Sequence, residues 1–203
     1  LLPAIQGRDE SKAGQGITAI VCHPTLSVAF AGKYDGSVVA YSSKTGKEDA
    51  MLYLHPKGAF VTAIAISSQD VLASGDVNGN VYVWQLKMTP TRSLRTSSLL
   101  LKTSVGKAIQ QLLISLTGDF VLISSATSNS VFSTRTSTCI GKLDIPQTES
   151  HTWKWLIRTG AQLELLLIVQ DKVSRYSWDR FPNLLYPQAL ILPPQYQQMI
   201  EET

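Results

Sequence analysis

The sequence has 203 residues, of which 44% are hydrophobic and 16% are charged, and its formal net charge is +3. This balance is too apolar for a disordered chain, and the absence of any run of about 18 apolar residues excludes a membrane-spanning helix. Because the first residue is Leu1 rather than Met, we expect the sequence to be part of a longer chain. A targeting signal upstream of it would then be out of view.

Four similar segments follow one another along the chain. Their corresponding positions, Ile17, Val61, Ile109 and Trp153, are separated by 44, 48 and 44 residues. This period is typical of propeller blades, each of which is a small four-stranded sheet. We therefore predict an all-β fold with repeats at 16–55, 56–104, 105–148 and 149–185. Residues 1–15 are then an N-terminal extension or the end of a preceding repeat, and residues 186–203 a C-terminal tail.

The first two repeats carry the clearest strand and turn signals. Asp35-Gly36 and Asn78-Gly79 have the residue types of a type I′ hairpin turn, which requires two consecutive positive φ angles. The β-branched and aromatic run Val81-Tyr82-Val83-Trp84 predicts the strand that follows the second turn. Trp84 should close that strand in the core of its repeat, and Tyr41 takes the equivalent place in the first repeat.

The segment from Lys87 to Thr103 separates the second repeat from the third. It contains serine, threonine and basic residues without an aromatic, so we predict an exposed, mobile connection at Thr89–Thr96. Arg92 and Arg95 on this connection are candidates for contact with a partner through surface charge. A basic segment without aromatics does not favour nucleic acid.

The fourth repeat contains three tryptophans. Trp178 lies at the closing position that Trp84 occupies in the second repeat, so we expect it in the core. Trp153 and Trp155 alternate and would share one face of a strand. That face is either core, which we favour, or an exposed aromatic platform for a partner.

Residues that could carry catalysis or bind a metal are scattered. The isolated Cys22 and Cys139 are expected to be core thiols in a reducing compartment, and His23, His55 and His151 to lie at turns. Gly14-x-Gly16 precedes a strand rather than a helix, and no Gly-Lys pair is followed by the Ser or Thr of a P-loop. We therefore predict no enzyme, no cofactor and no metal site.

The residues from Leu72 to Leu86, LASGDVNGNVYVWQL, closely resemble the second half of a WD repeat. The wider sequence Gly16–Leu192 resembles the C-terminal WD repeats of fungal signalling proteins that carry a NACHT-type signal-transduction ATPase domain (NLR-like proteins). This resemblance implies a β-propeller of which the four repeats are part of a larger ring. It also implies an internal Trp–Ser–His–Asp hydrogen-bond network, for which only His55 of the second repeat is suitably placed.

The resemblance further implies a non-catalytic recognition module that binds other proteins. In a longer protein it would be the sensor or scaffold part of a cytoplasmic signalling ATPase, with an intramolecular contact to an upstream nucleotide-binding domain. Two other functions remain open. A propeller hydrolase would need carboxylates or metal ligands that converge in the fold, and a binder of nucleic acid or anionic lipid would use the basic segment after Trp84.

Overall fold

The structure of the chain, a computed structural model, describes residues 16–56, 58–88, 94–143, 151–157, 163–169, 172–177 and 187–189. This part consists of β-strands joined by turns, and its four sheets have four strands each. The chain divides into two compact units, Leu1–Asp144 with the first three sheets and Ile145–Thr203 with the fourth. In the described ranges no helix is long and apolar enough to cross a membrane.

Each sheet is an antiparallel meander in which successive strands are hydrogen-bonded neighbours. The first sheet contains β1 (Ile17–Cys22), β2 (Val28–Lys33), β3 (Ser37–Ser42) and β4 (Glu48–Leu54). The second contains β5 (Val61–Ile66), β6 (Val71–Asp76), β7 (Asn80–Met88) and β8 (Leu94–Ser104). The third contains β9 (Ile109–Ile114), β10 (Phe120–Ser125), β11 (Asn129–Ser133) and β12 (Thr138–Leu143).

The fourth sheet contains β13 (His151–Ile157), β14 (Leu163–Val169), β15 (Lys172–Ser177) and β16 (Pro187–Ala189). The predicted repeat boundaries at 56, 105 and 149 all fall between sheets. The last strand, β16, pairs with β15 and lies beyond residue 185, where the predicted fourth repeat ends.

Two hydrophobic clusters hold the first three sheets together. Between the first and second sheets, Phe30 and Val38 pack with Leu72 and Leu86 of the next sheet. Between the second and third sheets, the small residues Ala63, Ala65 and Ala73 face Ile114, Val121 and Ile123. Because successive side chains in a strand point to opposite faces, each sheet contributes one set of alternate residues to each neighbour.

The predicted mobile connection at Thr89–Thr96 is wrong for the part that the structure describes. β7 continues to Met88, and β8 begins at Leu94, which is 1% exposed. The pairing of β7 with β8 is irregular in two places, where an extra residue on β8 interrupts the alternation of exposed and buried side chains. A strand with this interruption lacks the period-two pattern by which a strand is found in a sequence.

The expectation that both cysteines are core thiols is also wrong. Cys22, the last residue of β1, and Cys139, in the outer strand β12, are both exposed. Each lies on a strand at the edge of its sheet, where a side chain is covered only if another sheet packs on that face.

Candidate partner-binding surface

The turns between β2 and β3 and between β6 and β7 are three-residue hairpin loops that end in glycine. Gly36 and Gly79 each have a φ of 86°, and the N–H of each donates to the carbonyl three residues earlier at 3.1 Å. Asp35 and Asn78 do not have positive φ, so the predicted type I′ turns are wrong. Such a loop needs one left-handed residue, at the last position of the four-residue turn, and that residue is the glycine.

Both glycine turns lie against the connection that leads to the next sheet. A methyl group on Gly36 would lie 2.8 Å from the carbonyl oxygen of Ala59, and one on Gly79 would lie 2.6 Å from the backbone N and O of Lys107. Turn and connection are also hydrogen-bonded, with His55 N donating to Gly36 O and Val105 N to Gly79 O. We call this end of the first two sheets the loop end.

Exposed apolar side chains gather at the loop end. Tyr34 is 56% exposed, and its ring stacks on Phe60 with centroids 5.0 Å apart and planes 3° apart. Phe60 O in turn accepts from Val77 N of the β6–β7 turn at 3.0 Å. Leu54 and Ile17, which are 55% and 41% exposed, lie at the same end, because they pair with Ser37 and Lys33 on either side of the β2–β3 turn. We call the surface formed by these residues the loop-end patch: Ile17, Tyr34, Leu54, Phe60 and Val77.

A buried polar network lies beneath the loop end in the second sheet. His55, which is 1% exposed, places Nδ1 3.0 Å from Asp76 Oδ2 and Nε2 2.8 Å from Ser74 Oγ. The carboxylate can only accept, so Nδ1 carries the proton and Nε2 accepts from the serine hydroxyl. Asp76 Oδ1 also accepts from Asn78 N and Asn80 N. The network therefore joins the connection before β5 to the glycine turn after β6.

The network predicts a pH dependence of stability. Burial lowers the pKa of His55 below its ordinary value of 6.5, against the opposing effect of Asp76. The unfolded chain therefore takes up this proton at a higher pH than the folded chain. The stability that neutral His55 contributes is fully present above about pH 6.5 and is lost as the pH falls below it. We expect His55→Gln to flatten the dependence of the unfolding free energy on pH between about pH 5 and 7. Urea unfolding across that range measures it, and equal slopes in both proteins would contradict it.

The predicted blade residues that the structure describes lie in strands or in the turns that join them. Trp84 lies in β7 and is 5% exposed, which confirms its predicted burial. Tyr41 lies in β3 and is half-buried, with Lys33 Nζ 5.6 Å from its ring centre. The Asp35 carboxylate accepts from the backbone N and the hydroxyl of Ser37 and so caps its turn. Trp178 lies outside the described residues.

Those predicted partner-binding residues that the structure describes lie in strands and not in loops. Arg95 is exposed in β8, where Nη1 donates to Leu94 O, and Arg92 lies outside the described residues. Trp153 and Trp155 lie in β13, not in a loop, and Trp153 is fully buried whereas Trp155 is half-buried. The alternative of an exposed platform is therefore wrong for Trp153, because that ring belongs to the interior of its sheet.

The histidines serve structural contacts. At the end opposite the loop end, His23 Nε2 lies 2.8 Å from Asp70 Oδ1 and links the β1–β2 turn to the β5–β6 turn. His151 begins β13 and is not in a turn, contrary to expectation. In the described ranges no group of three or more His, Cys, Asp or Glu residues is placed to hold a metal ion.

The sequence did not single out the loop-end patch. Tyr34 is at the first position of the glycine turn, where the second repeat has Val77. Large apolar residues are unusual in exposed turns, so Tyr34 was the feature of the sequence that could have indicated this patch. Phe60 precedes a strand and reads as core, so its stacking partner follows only from the packing of two sheets.

Solved structures with a similar fold agree with this architecture. Neither a protein-family model nor a curated protein matches the sequence. The solved structure of U3-55K matches 90% of this chain at 18% identity with a TM-score of 0.65, over 53% of its own length. The RRP9 WD40 repeats match 90% at 17% identity with a TM-score of 0.64, over 52% of their length. The computationally designed Ika4 protein matches 84% at 19% identity with a TM-score of 0.59, over 98% of its length.

The chain thus has the WD40 β-propeller fold, with one four-stranded antiparallel sheet for each blade. It spans about half the length of the U3-55K and RRP9 chains.

Proposed function

We propose that this chain is a protein-interaction module that binds a polypeptide partner through the loop-end patch. The observation that supports it is the stack of Tyr34 on Phe60, in which Tyr34 is 56% exposed above two turns that contact the next connection closely. Aromatic side chains dominate the energetics of interfaces because they bury a large area with few rotatable bonds. A ring that is already held in place loses little conformational freedom when a partner covers it.

The interlocked turns make the loop end suitable for recognition. Gly36 and Gly79 leave no space between each turn and the next connection, and the network of His55 ties the same elements together from below. Binding residues on loops that a rigid scaffold positions are the common arrangement in proteins. The module would act by presenting a surface, without catalysis.

The wider role we propose rests on the resemblance to the WD repeats of fungal NACHT-type proteins. In a longer cytoplasmic signalling protein, this module would be a sensor or scaffold, and an upstream nucleotide-binding domain could be one of its intramolecular partners. An isolated nucleotide-binding domain of such a protein, added in titration, would test that role separately from the binding of other polypeptides.

Tyr34→Ala should weaken polypeptide binding by about 2 kcal/mol, roughly 30-fold in Kd, because it removes the exposed ring at the centre of the patch. The probes are peptides selected on the wild-type chain from a random-peptide display library, with Kd measured by fluorescence anisotropy. Tyr34→Phe keeps the stacked ring and should retain most of the affinity.

Leu116→Ala is the matched control, since Leu116 is 52% exposed in the β9–β10 turn, away from the loop end. This variant should bind every selected peptide as the wild type does. Selected peptides that ignore Tyr34→Ala but are lost on Leu116→Ala would place the recognition surface elsewhere and refute the proposal.

A further inference from the structure

The first glycine turn places a carboxylate beside the exposed ring of the loop-end patch. Asp35 is exposed and directly follows Tyr34 in this turn. Its Oδ1 accepts from the backbone N of Ser37 at 2.9 Å and from the Ser37 hydroxyl at 2.7 Å. Among the residues that the structure describes, no hydrogen-bond donor or cation contacts Oδ2. The carboxylate is thus fixed through one oxygen and can accept from a partner through the other.

This exposed carboxylate is a departure from the second repeat. There Val77 and Asn78 stand where the first turn has its tyrosine and aspartate. The carboxylate that accepts from the backbone of the second turn belongs to Asp76, which is fully buried. The fold therefore needs a carboxylate at such a turn but does not need it at the surface. Its exposure next to Tyr34 is a property of this surface and not of the repeat.

The ring of Tyr34 is covered on one face only. Phe60 stacks on that face, and elsewhere in the described ranges no second ring and no cation lies against Tyr34. The neighbouring Lys33 directs its amino group away from the turn, to 5.6 Å from the ring centre of Tyr41 and 3.8 Å from Glu48 Oε2. The aromatic face and the carboxylate beside it are therefore both available to a cation from outside.

A guanidinium group fits this combination best. It is planar and always charged, it stacks on aromatic rings, and it donates to carboxylates in a fixed geometry. The ammonium group of a lysine is a strongly hydrated point charge and matches a flat ring less well. Ile17 and Leu54 expose apolar surface on either side of the same turn. A ligand that also covers these two side chains must be larger than one free amino acid.

We propose that the loop-end patch recognises an arginine side chain of its polypeptide partner, with the guanidinium stacked on Tyr34 and paired with Asp35 Oδ2. Apolar side chains that flank this arginine cover Ile17 and Leu54. The inference rests on the proposed function, because it names the residue that the same patch binds. The two bonds from Ser37 already hold the carboxylate, so little freedom is lost when the ion pair forms.

Peptides selected on the wild-type chain should contain an arginine wherever their affinity depends on Tyr34. Citrulline keeps the planar group of that arginine but removes its charge, and this replacement should raise Kd about tenfold. Lysine at the same place should also bind more weakly than arginine. Asp35→Asn should weaken the arginine peptide by about the same factor and leave the citrulline peptide unchanged, since both changes remove one ion pair.

Asp70→Asn is the matched control for Asp35→Asn. It removes a carboxylate charge at the end opposite the loop end and keeps an oxygen that can accept from His23. This variant should bind the arginine and citrulline peptides as the wild type does. The asparagine at position 35 likewise keeps an acceptor for Ser37, and circular dichroism melting curves establish that both variants are folded.

Failure of this inference can be told apart from failure of the proposed function. Peptides may lose affinity in Tyr34→Ala and yet lack arginine, or bind equally well with citrulline or lysine in its place. Either result would overturn the recognition of arginine while the patch remained a binding surface. Effects of citrulline and Asp35→Asn that simply add would overturn the ion pair with Asp35. Peptides that ignore Tyr34→Ala would refute the proposed function and this inference together.

Discussion

Trp84→Ala should lower the free energy of unfolding by about 3–5 kcal/mol, the range for removing a large buried aromatic side chain. The indole is 5% exposed and lies 4.3 Å from the ring of Tyr53 and 5.5 Å from that of Tyr82, measured between ring centroids. Tyr53 comes from the first sheet and Tyr82 from the second, so the substitution opens a cavity where two sheets meet. Loss on this scale is a large part of the stability of an ordinary domain.

Urea unfolding followed by circular dichroism measures this effect. Trp84→Phe keeps an aromatic ring in the same stack and should lose much less than Trp84→Ala. A Trp84→Ala protein that unfolds at the same urea concentration as the wild type would contradict the assigned place of this residue.

Gly79→Ala should destabilise the chain by more than a left-handed alanine does by itself. The φ of 86° alone costs an alanine about 1–2 kcal/mol. The added methyl would also lie 2.6 Å from the backbone N and O of Lys107, and backbone cannot move aside as the tip of a side chain can. Overpacking of this kind adds about 1–3 kcal/mol. Gly79→Val should be worse still, because a β-branched residue tolerates this φ least.

Gly46→Ala is the matched control. Gly46 also has a positive φ, of 67°, but a methyl group there would meet nothing within 4 Å. The difference between the melting temperatures of Gly79→Ala and Gly46→Ala then measures how much the close contact between turn and connection contributes to stability, separately from the cost of the positive φ. If both variants melted together, the contact of the β6–β7 turn with the β8–β9 connection would contribute nothing to stability.

The two predictions bear on recognition as well as on stability. Trp84 joins the first two sheets, and Gly79 holds the second glycine turn against its neighbour. Substitutions that loosen either should also loosen the support beneath Tyr34 and Phe60. We expect peptide affinity to fall in Gly79→Ala even at temperatures where the chain remains folded, since a mobile patch must be ordered at the moment of binding.

Local signals in the sequence determined much of this fold. The 44–48-residue spacing indicates a repeated unit, and the strand and turn signals inside the repeats indicate that this unit is a small sheet. The glycine turns at Gly36 and Gly79 and the β-branched and aromatic run Val81–Trp84 follow from backbone sterics and strand propensity, which act over a few neighbouring residues. The burial of Trp84 could be predicted for the same reason, because it lies in a local run of apolar residues whose two faces are both buried.

Features that need two distant segments were decided only by the tertiary structure. β8 is a strand because it pairs with β7, and the irregular pairing removes the alternation that would reveal it in the sequence. Trp153 is buried whereas Cys22 is exposed, although either could lie on a covered or an uncovered face of its strand. Tyr34 meets Phe60 because the turn of one sheet lies against the connection to the next. A sequence pattern specifies which faces are apolar, but what covers each face depends on how the sheets pack.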